Sequence, residues 1–305
     1  MKNYLDVENN NIDTEEEYYQ REFINNTFTE QRLLSFKKSL NDYKYFPENN
    51  ICNFKHRIIK NEFDDLREKY PYEEIIQLKS DFDKAVAVLT WMSNHSYYYG
   101  YSKLKSRNSV EIIEKYFDKG FRGAINCGQQ STVLADILCS LGIYARRVMI
   151  TVNVVDKQDE FYGDGNVHVV VHAYIKELCK WVMFDPSYTA YFADTQGNIM
   201  NLIDLREAYN TNEDIIVPQY KLNGSSERFR DSYIERISVM NFRIEIGQNN
   251  TAYQLIPERL DFKDYIMYMY RNKSEEERVS VEKEVDEYEY ISSLEFLSIP
   301  DNIIS

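Results

Sequence analysis

The sequence predicts an α+β fold in which one strong helix packs on an antiparallel sheet, with a helical segment before it and mixed elements after it. Two observations carry that prediction. From Cys127 onward, Val133, Leu134, Ile137, Leu138 and Leu141 recur at helical spacing, and Gly142 stands where a left-handed cap ends a helix. Directly afterwards the texture turns to β: residues 145–155 alternate around Val148, Ile150, Val152 and Val154, and apolar runs follow at Val167–Ile175 and Trp181–Phe184.

The flanking elements follow from the same signals. Between Glu15 and about Leu78 the chain is rich in charged and amide residues, with Phe28, Leu33, Leu34, Phe36 and Leu40 at helix-like intervals; breaks fall near Pro47 and Pro71. Ser80 is the expected N-cap of a helix running to Met92, with Phe82, Ala85, Val86 and Leu89 on one face. A tyrosine-rich loop is expected over Asn94–Ser109, a short helix over Val110–Tyr116, and a turn at Gly120–Gly123. Beyond Asn198 come a helical stretch at Leu202–Tyr209, strands within Tyr233–Ile246, a helix around Phe262–Met269 and an acidic tail. Three parts result: a helical N-terminal segment (1–79), a core (80–210) and a C-terminal α/β extension (211–305).

Composition narrows the function classes. The 305 residues are 43% hydrophobic and 28% charged with ten glycines and six prolines, which excludes collagenous, fibrous and largely disordered chains. Fifty acidic against 36 basic residues give a net charge of −14, which opposes binding to nucleic acid or an anionic membrane. The first 30 residues hold eight acids and two bases, and residues 271–305 hold ten and four, so the two ends carry nearly all of the charge. A basic protein partner would dock there. The longest uncharged run, Ala85–Ser102, is interrupted by polar residues and tyrosines, and no apolar stretch follows Lys2, so a cytoplasmic address is expected. The four cysteines, Cys52, Cys127, Cys139 and Cys179, form no C-x-x-C pair and read as free thiols.

Three residues stand where thiol catalysis needs them. Cys127 lies in the first turn of the strong helix, where unpaired N–H groups and the positive end of the dipole favour a thiolate. His172 lies in the β-branched run Val169–Tyr174, where a rigid strand can hold a base. Asp185 ends the next strand. A hairpin centred between Leu178 and Cys179 would place His172 directly opposite Asp185, with Cβ atoms about 5 Å apart, so that the carboxylate orients the imidazole. Glu177–Lys180 lacks the glycine or asparagine of a tight turn, which leaves the register open to slippage.

These residues also carry a resemblance. Asn126-Cys127-Gly128-Gln129 with the helix leading into Leu141-Gly142-Ile143-Tyr144-Ala145-Arg146-Arg147-Val148, then His172-Ala173-Tyr174, then Trp181 and Asp185-Pro186-Ser187, resemble the nucleophile helix, His-Ala-aromatic strand and Trp-x-x-x-Asp-Pro-Ser/Thr segment of the transglutaminase-like superfamily. The resemblance spans roughly residues 80–190. It implies a papain-like Cys-His-Asp arrangement performing acyl transfer from a peptide or protein amide without a cofactor. It does not choose the acceptor, so a cysteine protease or amidase, a protein-glutamine transglutaminase and a non-catalytic binding module of the same fold all stand. The protease or amidase is preferred because water needs no second binding site.

Other candidates weigh less. His168 lies on the same strand face as His172 but about 13 Å away at roughly 3.3 Å per residue, too far for the two to share a metal ion. Cys139, Cys52 and Cys179 read as structural thiols, and Arg146 and Arg147 as strand-surface charges. The Cys127 backbone N–H is one oxyanion donor; Trp91 and the tyrosines at 97–101 are candidates for the second. No phosphate-binding glycine loop, serine-hydrolase elbow or metal-ligand motif occurs, so no cofactor or metal is expected.

Overall fold

The structure is a computed structural model of the 305-residue chain. It describes residues 29–41, 63–69, 72–100, 106, 108–117, 123–151, 158–160, 167–219, 231, 233–235, 237, 241–245, 252–254, 271–286, 289–290, 297 and 299–300. The breaks expected at Pro47 and Pro71, the helix expected around Phe262–Met269, and Cys52 lie outside these residues.

In chain order the helices are α1 (Glu30–Asn41), α2 (Asp64–Lys69), α3 (Glu73–Ile76), α4 (Asp81–His95), α5 (Ser109–Tyr116), α6 (Cys127–Ser140), α7 (Leu202–Asn210) and α8 (Glu275–Asp286). The strands are β1 (Ser96–Tyr98), β2 (Gly123–Ile125), β3 (Ala145–Thr151), β4 (Val167–Ile175), β5 (Lys180–Phe184), β6 (Tyr191–Ala193), β7 (Ile216–Gln219), β8 (Asn241–Glu245), β9 (Ala252–Gln254) and β10 (Glu289–Tyr290). Six of them form one sheet in the order β10-β9-β8-β3-β4-β5. The fold is α+β, as the sequence predicts. Strands β8 to β10 come from beyond residue 211 yet hydrogen-bond onto the β3 side of this sheet, so the C-terminal part shares the sheet of the core.

The termini of α6 follow local chemistry. Asn126 caps it by accepting from the Gln129 N–H at 3.0 Å while the Gln129 side chain accepts from the Asn126 N–H at 3.0 Å, a reciprocal capping box. At the other end Gly142 takes φ +82°, Ile143 N–H bonds the Leu138 carbonyl at 2.9 Å and Gly142 N–H bonds that of Cys139 at 3.0 Å. That is a Schellman cap, and it turns the chain straight into β3. Val133, Leu134, Ile137 and Leu138 are fully buried against Val171, Ala173 and Ile175 of β4 and Val182 and Phe184 of β5. Burial of each such side chain contributes about 1.5–3 kcal/mol, so Leu134→Ala would cost about 2–5 kcal/mol with its cavity.

Strand β4 is buried throughout except at Val167, because it is interior to the sheet and covered on both faces. One face meets the helices; on the other, Tyr174 and Trp181 cluster with Tyr144 and Leu297. Ser80 caps α4 as expected, aided by Glu177 from the β4–β5 turn, which accepts from the Phe82 N–H at 2.8 Å. The tyrosine-rich loop differs from expectation: Ser96–Tyr98 form a strand parallel to β2. There Gly123 is required by crowding, since a Cβ would lie 2.5 Å from the Tyr116 carbonyl oxygen. Tyr233 lies on helical backbone and not on a strand. Among the described residues no helix is long and apolar enough to cross a membrane.

Candidate active site

Cys127 is the first residue of α6 and keeps partial exposure. The capping box engages the N–H of Gln129, which leaves the N–H groups of Cys127 and Gly128 pointing out of the helix end.

The partner of the sulfur is His168, not His172. The β4–β5 hairpin turns through Lys176–Leu178 as a 3₁₀ turn with Cys179 in the left-handed region at φ +48°, so Ile175 pairs with Lys180. Four residues make the turn where a two-residue one was expected. The register therefore slips by two, and Met183, not Asp185, faces His172. Past Val171↔Phe184 the strands stop pairing. Asp185 leaves the sheet into a loop closed by its two backbone bonds to Ala190, 2.8 and 3.0 Å. Its Oδ1 accepts from the Ser187 N–H at 2.9 Å, and its Oδ2 accepts from Nε2 of His168 at 2.7 Å. Asp185 thus serves as turn former and as imidazole partner at once. With Nε2 engaged, Nδ1 of His168 is left for the hydrogen bond to Cys127.

The same edge of β4 docks the helix. β5 stops pairing at Val171, so Val169 has no partner in β5. The Val169 carbonyl instead accepts from Ser131 Oγ at 2.8 Å, and the Val169 N–H bonds the Cys127 sulfur. Cys127 and Ser131, one turn apart on α6, grip both peptide groups of Val169.

The electrostatics follow from this packing. Burial alone would raise the Cys127 thiol, but the hydrogen bond and positive charge of His168, with the Val169 N–H, outweigh it and the thiol is lowered. For His168 burial opposes the charged form, yet the Asp185 carboxylate and the sulfur prevail and raise it to about 9. His168 and Asp185 are buried, at 1% and 0% exposure, so this ion pair is shielded from water. The rings of Tyr98, 6.1 Å away, and Tyr188, 5.8 Å away, stand edge-on to the imidazole.

His172 has a different environment. Its ring stacks on Trp181 at 5.6 Å, and the Arg146 guanidinium lies over the same indole at 3.8 Å. Burial and the charge of Arg146 hold His172 well below the usual imidazole range. Arg146 Nη2 and the Leu202 N–H each lie 3.4 Å from a different ring nitrogen; a neutral imidazole accepts at one nitrogen, so the two donors compete. Arg146 is buried, against the surface position expected for it, and Arg147 donates to Thr132 Oγ1 at 2.8 Å.

Trp91 packs its ring with Tyr72, His95 and Phe117. Among the described residues no group of three His, Cys, Asp or Glu side chains could hold a metal ion. One signal in the sequence points to His168. Gly142 turns α6 directly into β3, so β3 runs back along the helix and the start of β4, not its middle, reaches Cys127.

Residues 72–186 match the family model of the transglutaminase-like superfamily. Over that segment, a little over a third of the chain, the sequence is similar to the superfamily. Among solved structures, a Cytophaga hutchinsonii protein described as a candidate cysteine protease is similar, with 17% identity, a TM-score of 0.32, and 53% of this chain and 50% of that one covered. The chain therefore spans about half of that protein. No curated protein matches the chain. The transglutaminase-like segment contains Cys127, His168, His172 and Asp185, and ends just past the last of these.

Proposed function

We propose that this transglutaminase-like protein is a thiol hydrolase of amide bonds, of the protease or amidase type, with Cys127 as nucleophile, His168 as acid and base, and Asp185 as orienting carboxylate. The observation that carries the reading is the position of His168, held by Asp185 through Nε2 at 2.7 Å and acting on the Cys127 thiol to favour its thiolate. His172, which the strand motif favoured, is replaced in this role because it faces Met183 and the Arg146–Trp181 stack.

In the resting site the proton resides on His168 and the sulfur is a thiolate. The thiolate attacks the amide carbonyl carbon, forming a C–S bond and an oxyanion that the Cys127 N–H at the helix end can bind. His168 gives its Nδ1 proton to the amide nitrogen, the C–N bond breaks and the amine leaves. Water then attacks the thioester and gives a proton to His168, the C–S bond breaks, and the carboxylic acid departs from a restored thiolate–imidazolium pair. Asp185 remains ionised and holds the imidazole in position.

The test is reaction of wild type and Cys127→Ala with a peptide library, with and without a labelled amine. Release of new amino termini by wild type alone, without amine incorporation, supports the hydrolase. Incorporation of the labelled amine would make the protein a transglutaminase, and no Cys127-dependent product in either arm would contradict the enzymatic reading.

A further inference from the structure

The Asp185 carboxylate has one partner that the triad chemistry does not require. Tyr233 Oη donates to Oδ2 at 2.7 Å, the same oxygen that His168 Nε2 holds at 2.7 Å, while Oδ1 is taken by the Ser187 N–H. Tyr233 is buried, at 4% exposure, and its ring is fixed between Tyr188, with centroids 4.5 Å apart, and Phe192, stacked at 5.7 Å. It lies well beyond residue 186, outside the segment that matches the transglutaminase-like model.

We propose that Tyr233 is a positioning residue of this site, its phenol O–H pinning Oδ2 of Asp185 and drawing off part of the charge that His168 would otherwise feel. The proposal rests on the reading in which Cys127, His168 and Asp185 act together. A phenol donating to a buried carboxylate makes a short, charge-assisted bond. Two donors on one oxygen stop the carboxylate from rotating away, and they share a single negative charge. Around His168 the other facing groups are Cys127 and the rings of Tyr98 and Tyr188, so Asp185 is the carboxylate that faces it among the described residues. Whatever the phenol withdraws from Oδ2 is withdrawn from the imidazolium. The C-terminal part of the chain would thereby set how long His168 keeps its proton as pH rises.

The test uses the full-length protein and iodoacetate, read as the mass of the carboxymethylated Cys127 peptide. Iodoacetate is an anion, so its rate rises as the thiolate forms and falls when the neighbouring imidazolium loses its proton. Tyr233→Phe keeps the ring packing and removes the donor; the falling limb should move to higher pH by about half a unit or more. Replacing Tyr233 by 3-fluorotyrosine strengthens the donor and should move that limb the other way, and this nearly isosteric ring decides the matter if the phenylalanine variant does not fold. Limbs that stay at the wild-type position in the folded variants, or that move in one direction for both, would overturn the proposal. The parent reading fails separately, if wild-type Cys127 shows no low-pH phase or if His168→Ala leaves that phase unchanged.

Discussion

Asp185 lies one step past Val171↔Phe184, the last β4–β5 pair, where a continued register would set it midway between His168 and His172, and its carboxylate bonds His168 at 2.7 Å. Strand register alone treats the two histidines alike. The tie is broken beyond the last pair, where Asp185 closes a loop with Ala190 and its carboxylate bonds the histidine near the start of β4. There Val169 offers both peptide groups to the helix, and His168 is the adjacent side chain.

Removing the Asp185 charge should weaken the hold on the His168 proton. In Asp185→Asn the falling limb of iodoacetate modification is expected at lower pH by about one unit or more, and turnover of a cleaved peptide should drop between about a hundred- and ten-thousand-fold. An unmoved limb would show that the carboxylate does not act on His168.

Ser131 is predicted to matter beyond its small size. Ser131→Ala leaves the buried Val169 carbonyl without its 2.8 Å donor, at a cost of about 1–3 kcal/mol in denaturant unfolding. Because Ser131 and Cys127 share the grip on Val169, Cys127 alkylation should slow as well. A variant as stable and as reactive as wild type would mean that the helix is docked by apolar packing alone.

The two histidines on β4 should leave opposite marks on stability against pH. His172 is held neutral by burial and Arg146, so it binds its proton more readily in the unfolded chain; stability falls as pH drops below about 6.5, with this residue contributing at most about 1.4 kcal/mol per pH unit. His168 is raised, so its contribution is complete below about 6.5 and is lost as pH climbs through about 9. Equilibrium unfolding across pH should show His172→Gln flattening the acid side and leaving the alkaline side alone. An acid side unchanged in that variant would place the sensitive group elsewhere.

Much of this was legible in the sequence, and the reason for each miss is physical. Asn126 with Gln129 at one end and Gly142 at the other mark α6 by local hydrogen bonding, which a sequence states directly. Val169–Tyr174 and Trp181–Phe184 mark their strands by composition, and Asp-Pro marks the exit from β5. The pairing of those strands depended on a turn without a turn signature. A left-handed Cys179 is uncommon, and it changed the loop from two residues to four. A slip of two preserves the face of every side chain, so the alternation of β4 gave no warning. Arg146 reads as a surface charge because a stacking partner, Trp181, is 35 positions away and two strands over. Tyr233 could not be connected to Asp185 from sequence, since a tertiary hydrogen bond between distant segments has no local pattern.

The most direct measurement is the pH dependence of Cys127 alkylation by iodoacetamide in wild type, His168→Ala and His172→Gln, followed on the Cys127 peptide. Wild type and His172→Gln should react well below the free-thiol value of about 8.5, and His168→Ala should react near that value. An early phase that survives in His168→Ala and vanishes in His172→Gln would contradict the account.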